Sequence, residues 1–186
     1  PAPAVESAWI AAATGGTVDV RFSLALDGLG VWLYALSALL TVTAVLISWH
    51  EIQDRAPDFY ALLLLLETGL LGVFTAQDIL LFYVFFEFTL IPLFFLIGVW
   101  GHEERRYAAI KFFLYTLAGS MFTFLGLLAI VLWHREHDPA GRLTFHIPTL
   151  LEGLRAHPLD AGRQMWIFLA LFAGFAIKVP LFPLHT

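Results

Sequence analysis

From Leu29 to Ser48 the chain carries no charged residue, and four further runs come close to the same condition. A run of about 20 apolar residues is what an α-helix needs to cross the hydrocarbon core of a bilayer. In that solvent every backbone polar group must be bonded internally. Charged residues make up 13% of the chain and apolar ones 60%. A soluble domain carries about 25% charged residues. The surface is therefore expected to face lipid, and the chain to be an integral membrane protein.

Five spans follow, at about 29–48, 59–76, 79–99, 107–133 and 164–186. The expected fold is all-α, a polytopic transmembrane helical bundle whose last helix is discontinuous. Asp27 precedes the first span as an N-cap, because its carboxylate can accept from orphan N–H groups. Asp78 is placed the same way before the third, at the membrane interface. Trp49 and Trp100 close their spans where amphipathic rings settle. The longest connection, 134–163, is expected outside the membrane and is broken by Pro139, Gly141, Pro148, Gly153 and Pro158. Within it Leu143 to Ile147 alternates as a short extended segment would. Leu150, Leu151 and Leu154 have helical spacing. Arginines fall in loops on both sides, so charge bias does not orient the chain.

Several function classes drop out. The net charge of -5 is spread over the loops, with no basic block for nucleic acid. Cysteine is absent, which removes disulfides, thiolate nucleophiles and Cys-ligated clusters. His134-Arg135-Glu136-His137 lacks the zincin spacing. No metal site, phosphate loop or Ser–His–Asp arrangement is legible. The chain opens on Pro1-Ala2-Pro3 and closes directly after an apolar span; both ends are expected to be cuts through a longer protein.

The informative residues are the ionisable ones inside the spans. Glu87 lies about 12 Å into its helix at 1.5 Å per residue, among Phe85, Phe86 and Phe88. A carboxylate there costs several kcal/mol unless it is paired or protonated. Pro92 cannot donate to the carbonyl of Phe88, which leaves an acceptor beside Glu87. Lys178 lies about 20 Å along the fifth span. Pro180 and Pro183 withhold N–H donors from the carbonyls of Ala176 and Val179. The helix should break just after Lys178, and a broken helix carrying an ionisable group is a transporter feature. The structural alternatives are a protonated Glu87 bonded across helices and a Lys178 that snorkels to the interface. Lys111 opens a stripe of Tyr115, Thr116, Gly119, Ser120 and Thr123 that could hold water. Glu67 and His185 are further candidates for proton relay.

These residues carry a resemblance. Leu81-Phe82-Tyr83-Val84-Phe85-Phe86-Glu87-Phe88-Thr89-Leu90-Ile91-Pro92 resembles the glutamate-bearing helix of the antiporter-like subunits of respiratory complex I. Ala109 to Ser120 and Phe175 to Thr186 resemble two further motifs of that family, the last being its broken lysine-bearing helix. Glu-Phe-Thr-Leu-Ile-Pro and the following Trp100-Gly101 are most similar to the branch holding subunit M and its mitochondrial counterpart, subunit 4. The resemblance implies that Glu87 and Lys178 are a relay pair in a proton half-channel. It also implies that the spans are most or all of the first of two inverted five-helix repeats. NADH, flavin, iron–sulfur clusters and quinone would belong to partner subunits, and this chain would bind no cofactor. Its partners would be the other membrane subunits of the complex, sister antiporter-like subunits above all, in an energy-transducing membrane such as the bacterial inner membrane. A multi-subunit cation/proton antiporter shares these motifs and is the second reading. A membrane scaffold with Glu87 and Lys178 as a buried tether is the third.

Overall fold

The computed structural model describes residues 5–9, 17–179, 181 and 182. In chain order the elements are β1 (Val5–Ala8), β2 (Val18–Asp19), β3 (Arg21–Leu24), α1 (Gly28–Glu51), α2 (Ala56–Thr75), α3 (Ile79–Phe88), α4 (Leu90–Trp100), α5 (Arg105–His137), β4 (Leu143–Thr144), α6 (Ile147–Ala156) and α7 (Ala161–Lys178). Among the described residues, four helical stretches are long and apolar enough to cross a membrane: Gly28–Glu51, Ala56–Thr75, Ile79–Trp100 and Arg105–His137. α7 occupies the fifth expected span as far as Lys178. Its first turn contains Arg163 and Gln164, which lowers its hydropathy.

The chain divides into two compact units. The first comprises Leu24–Ala76 and Phe82–Phe113. Here the Asp27 carboxylate accepts from the Gly30 N–H and starts α1 as anticipated. α1 buries only Gly30, while Trp32 is 76% and Ile47 70% exposed. Such an apolar exterior suits lipid and would be a liability in water. Arg55, with φ of 53°, makes the left-handed turn into α2. The Trp100 indole N–H donates to the Asp54 carbonyl at 3.0 Å, and the Trp100 ring meets Phe59 edge-on. The end of α4 therefore braces the start of α2.

α2 meets the Glu87 helix through small residues. A Cβ on Gly69 would lie 2.8 Å from Thr89 Cγ2, and one on Gly72 would enter the Phe85 ring. Such glycines let membrane helices approach closely. α3 and α4 form one span interrupted at Thr89, whose hydroxyl donates to the Phe86 carbonyl at 2.8 Å. Pro92 supplies the cause, since the Phe88 carbonyl loses its N–H four residues on.

The second unit comprises Val5–Ser23, Gln77–Leu81 and the chain from Leu114 onward. β2 pairs in parallel with β4, Val18 opposite Leu143 and Asp19 opposite Thr144. The short helix anticipated at Leu150 is α6. Val20, Ile79, Val131, Phe145 and Leu150 close over one another as a small core. At 33 residues α5 is about 50 Å long, well beyond a hydrocarbon core of about 30 Å. Its last turns carry Val131, fully buried, into that small core.

Candidate functional site

α3 brings Glu87 into the first unit with both carboxylate oxygens buried and without a hydrogen-bond partner among the described residues. Phe85 and Thr89 face the α2 glycines, and Glu87 lies about half a turn round the helix from them. The contact with α2 therefore does not engage it. Glu67 is half-buried on α2, and Lys111 is exposed on α5, its ammonium 5.9 Å from the Tyr107 ring centre.

Lys178 belongs to the second unit and is half-buried at the last position of α7. At the start of α7 Asp160 caps the helix by accepting from the Arg163 N–H, and the Arg163 guanidinium lies 4.4 Å over the Trp133 ring. From Ala161 to Lys178 is about 25 Å of helix. α5 and α7 run antiparallel, because Gly126 meets Leu171, Thr123 meets Gly174 and Gly119 meets Ile177. That register brings Lys178 level with Ala118 and Gly119, near the middle of α5.

Two expectations change here. The stripe from Tyr115 to Thr123 is a packing face, not an open water path. Thr116, Ser120 and Thr123 are 5%, 2% and 1% exposed. Glycines 119 and 174 leave no room between the helices. The Ser120 hydroxyl donates to the Leu117 carbonyl, while the Thr123 hydroxyl is buried without a hydrogen-bond partner among the described residues. The carbonyl of Ala176 is also not left open. The Leu181 N–H reaches past position 180 and donates to it at 2.9 Å. α7 nevertheless ends at Lys178, where proline spacing puts the break. Pro180, Pro183 and His185 lie outside the described residues.

Sequence reasoning missed a polar cluster at the start of α3. The Asp19 carboxylate holds the Arg21 guanidinium at 2.9 Å and accepts from the Thr144 hydroxyl at 3.0 Å. Arg21 therefore keeps Asp19 below the usual carboxylate range. Asp78, read as an interfacial cap, is fully buried instead. It accepts from the backbone N–H groups of Arg21, Leu80 and Leu81. Burial pushes its carboxyl upward against those bonds. The His146 ring lies 3.0 Å from the Thr149 hydroxyl, and burial lowers its pKa. Among the described residues no group of three or more His, Asp or Glu is placed to hold a metal ion.

Long apolar helices, one of them carrying a buried carboxylate, define a polytopic helical membrane protein. Residues 76–186 match the family described as NADH:quinone oxidoreductase/Mrp antiporter, TM, and the chain belongs to it. It is similar to NADH-quinone oxidoreductase subunit M of Rhodobacter capsulatus, 37% identical over 97% of this chain and 34% of the relative. It is also similar to NADH-ubiquinone oxidoreductase chain 4 of Prototheca wickerhamii, 41% identical over 94% of this chain and 31% of the relative. A chain of respiratory complex I from Thermus thermophilus with bound NADH superposes with a TM-score of 0.72 at 39% identity, covering 92% of this chain and 33% of that one. The chain thus spans about a third of the length of these relatives.

Proposed function

We propose that this chain is part of an antiporter-like, proton-translocating subunit of NADH:quinone oxidoreductase, in which Glu87 and Lys178 carry the proton. The observation behind this reading is the Glu87 carboxylate, its two oxygens buried and unbonded in a membrane span. An ionisable group inside a membrane span that no structural partner engages is a candidate for function, and among the described residues Glu87 is such a group. Lys178, half-buried at the last position of α7, is the basic counterpart on this reading. Glu67, Lys111 and His185 are further relay candidates, and Pro92, Pro180 and Pro183 shape the breaks.

NADH oxidation, flavin, iron–sulfur and quinone chemistry belong on this reading to partner subunits, and sister antiporter-like subunits are its neighbours in the membrane. The family description also covers Mrp antiporters. Proton flux driven by a cation gradient without NADH would favour that second assignment.

The test is Glu87→Gln and Lys178→Ala in the intact complex, with assembly and proton pumping assayed separately. Each variant should assemble and lose roughly tenfold or more of its pumping, as removal of a proton-transfer group does. Normal pumping in both variants would sink the relay.

A further inference from the structure

The helix that carries Glu87 is gripped at its start with unusual completeness. Gln77 donates its N–H to the Ser23 carbonyl at 2.9 Å and accepts from the Ile147 N–H at 2.9 Å. Ile79 donates to the Phe145 carbonyl at 2.9 Å. Asp78 pairs with His146 as an antiparallel bridge. Gln77 and Asp78 are therefore bonded to two other segments immediately before α3 begins at Ile79.

Asp78 sits at the middle of this arrangement and is 0% exposed. Its two oxygens do different work. Oδ1 accepts from Leu80 at 2.9 Å and Leu81 at 3.3 Å, which is the ordinary task of an N-cap. Oδ2 accepts from the Arg21 N–H at 3.0 Å, a residue 57 positions earlier. A cap alone has no need of the second oxygen. Asp19 secures the far side of that bond by holding the Arg21 guanidinium and the Thr144 hydroxyl.

We propose that Asp78 is a positioning residue for Glu87, fixing the depth and rotation of α3 by dividing its carboxylate between that helix and β3. The proposal rests on the reading of Glu87 as a proton carrier. Glu87 follows Asp78 by about 13 Å on one helix, and a slip of one residue at the start would turn it by about 100°. A helix held only by its lipid-facing packing has no such stop.

The chemistry of the cap supplies the test. Asn and Ser cap helices about as well as Asp. Neither offers a second acceptor oxygen for Arg21, and the Asn amide would set N–H against N–H. In the intact complex, Asp78→Asn and Asp78→Ser should therefore assemble like wild type and keep NADH oxidation. Protons pumped per electron should fall by roughly twofold or more, the sign of a lost geometry and not of a lost fold. The infrared carboxylic-acid band that Glu87→Gln removes should shift in frequency or in its pH midpoint, which a merely structural role would leave in place. Wild-type pumping with an unmoved band in either assembled variant overturns the proposal. Failure of both variants to assemble also overturns it, and makes Asp78 a folding residue. If Glu87→Gln pumps normally while the Asp78 variants do not, the Glu87 reading has failed and the grip on α3 stands on its own.

Discussion

Two buried carboxylates show how the same desolvation leads to different ends. Asp78 meets three backbone N–H groups, so its lone pairs are used and its position is fixed. Glu87 meets none among the described residues. A satisfied group holds structure, and an unsatisfied one in a membrane span is available to a proton. His146 adds a pH dependence to the polar cluster at the start of α3. Burial lowers its pKa, Arg21 adds to that, and Glu6, Asp19 and Asp78 oppose it. The folded state then binds fewer protons than the unfolded one below the ordinary histidine value of about 6.5. Stability from this residue is present above that value and is lost as pH falls below it. Asp19, held down by Arg21, loses its share further into acid, as pH falls through its folded pKa. Asp78, pushed up by burial, works in the opposite sense. Hydrogen-exchange protection of the amides at 143–147, corrected for intrinsic rates, should fall from about pH 7 to about pH 5. His146→Asn, which keeps an acceptor toward Thr149, should flatten that step. An unchanged step in the variant would assign it to another group.

Among elements, α5 and α7 depend on the absence of side chains. A Cβ at position 174 would meet the Thr123 hydroxyl, and it would also lie 2.7 Å from the Gly119 carbonyl oxygen and 2.9 Å from the Thr123 nitrogen. Backbone atoms cannot rotate aside. Gly174→Ala should thus cost about 1–3 kcal/mol by overpacking, and Thr123→Ala should not restore it. Thermal denaturation of the assembled complex measures both, with Gly28→Ala as the control because nothing lies within 4 Å of its Cβ. Equal melting of the Gly174 and Gly28 variants would refute the close approach. The helices themselves were legible, because an apolar run of span length admits little else. The end of α7 was legible from Pro180, whose missing N–H acts locally. The packing of the Tyr115 to Thr123 stripe was not, since polar residues facing water and polar residues facing a glycine read alike. Nor was the pairing of β2 with β4, which joins Asp19 to Thr144 across 125 positions. The alternation from Val18 to Leu24 is the local sign of β2 and β3, and a stretch that short does not separate strand from loop. Asp78 was legible as a cap from its place before an apolar run. Its second bond depends on Arg21 and leaves no mark nearby.

At the scale of the whole molecule, Glu87 belongs to the first compact unit and Lys178 to the second, and the proposed relay would join them by function. A relay and a tether make opposite demands on the same two variants. If the residues are a buried ion pair that holds the fold, removing either partner leaves the other charge uncompensated, at about 3–5 kcal/mol. Glu87→Gln and Lys178→Ala would then each impair assembly, and the double variant would recover it, because no orphan charge remains. If they are successive stations of one proton path, assembly is spared and the losses in pumping do not add. Once the first station is gone, the second has nothing to pass on, and groups that act as a unit are grossly non-additive. The double variant should therefore pump no worse than the poorer single variant, with NADH oxidation retained at a similar level in all three. Two independent paths would instead multiply the losses. Proton uptake per electron in sealed vesicles, alongside the yield of assembled complex, separates the three cases. Recovery of assembly in the double variant would reject the relay, while equal pumping losses on a normally assembled complex would place both residues on one route.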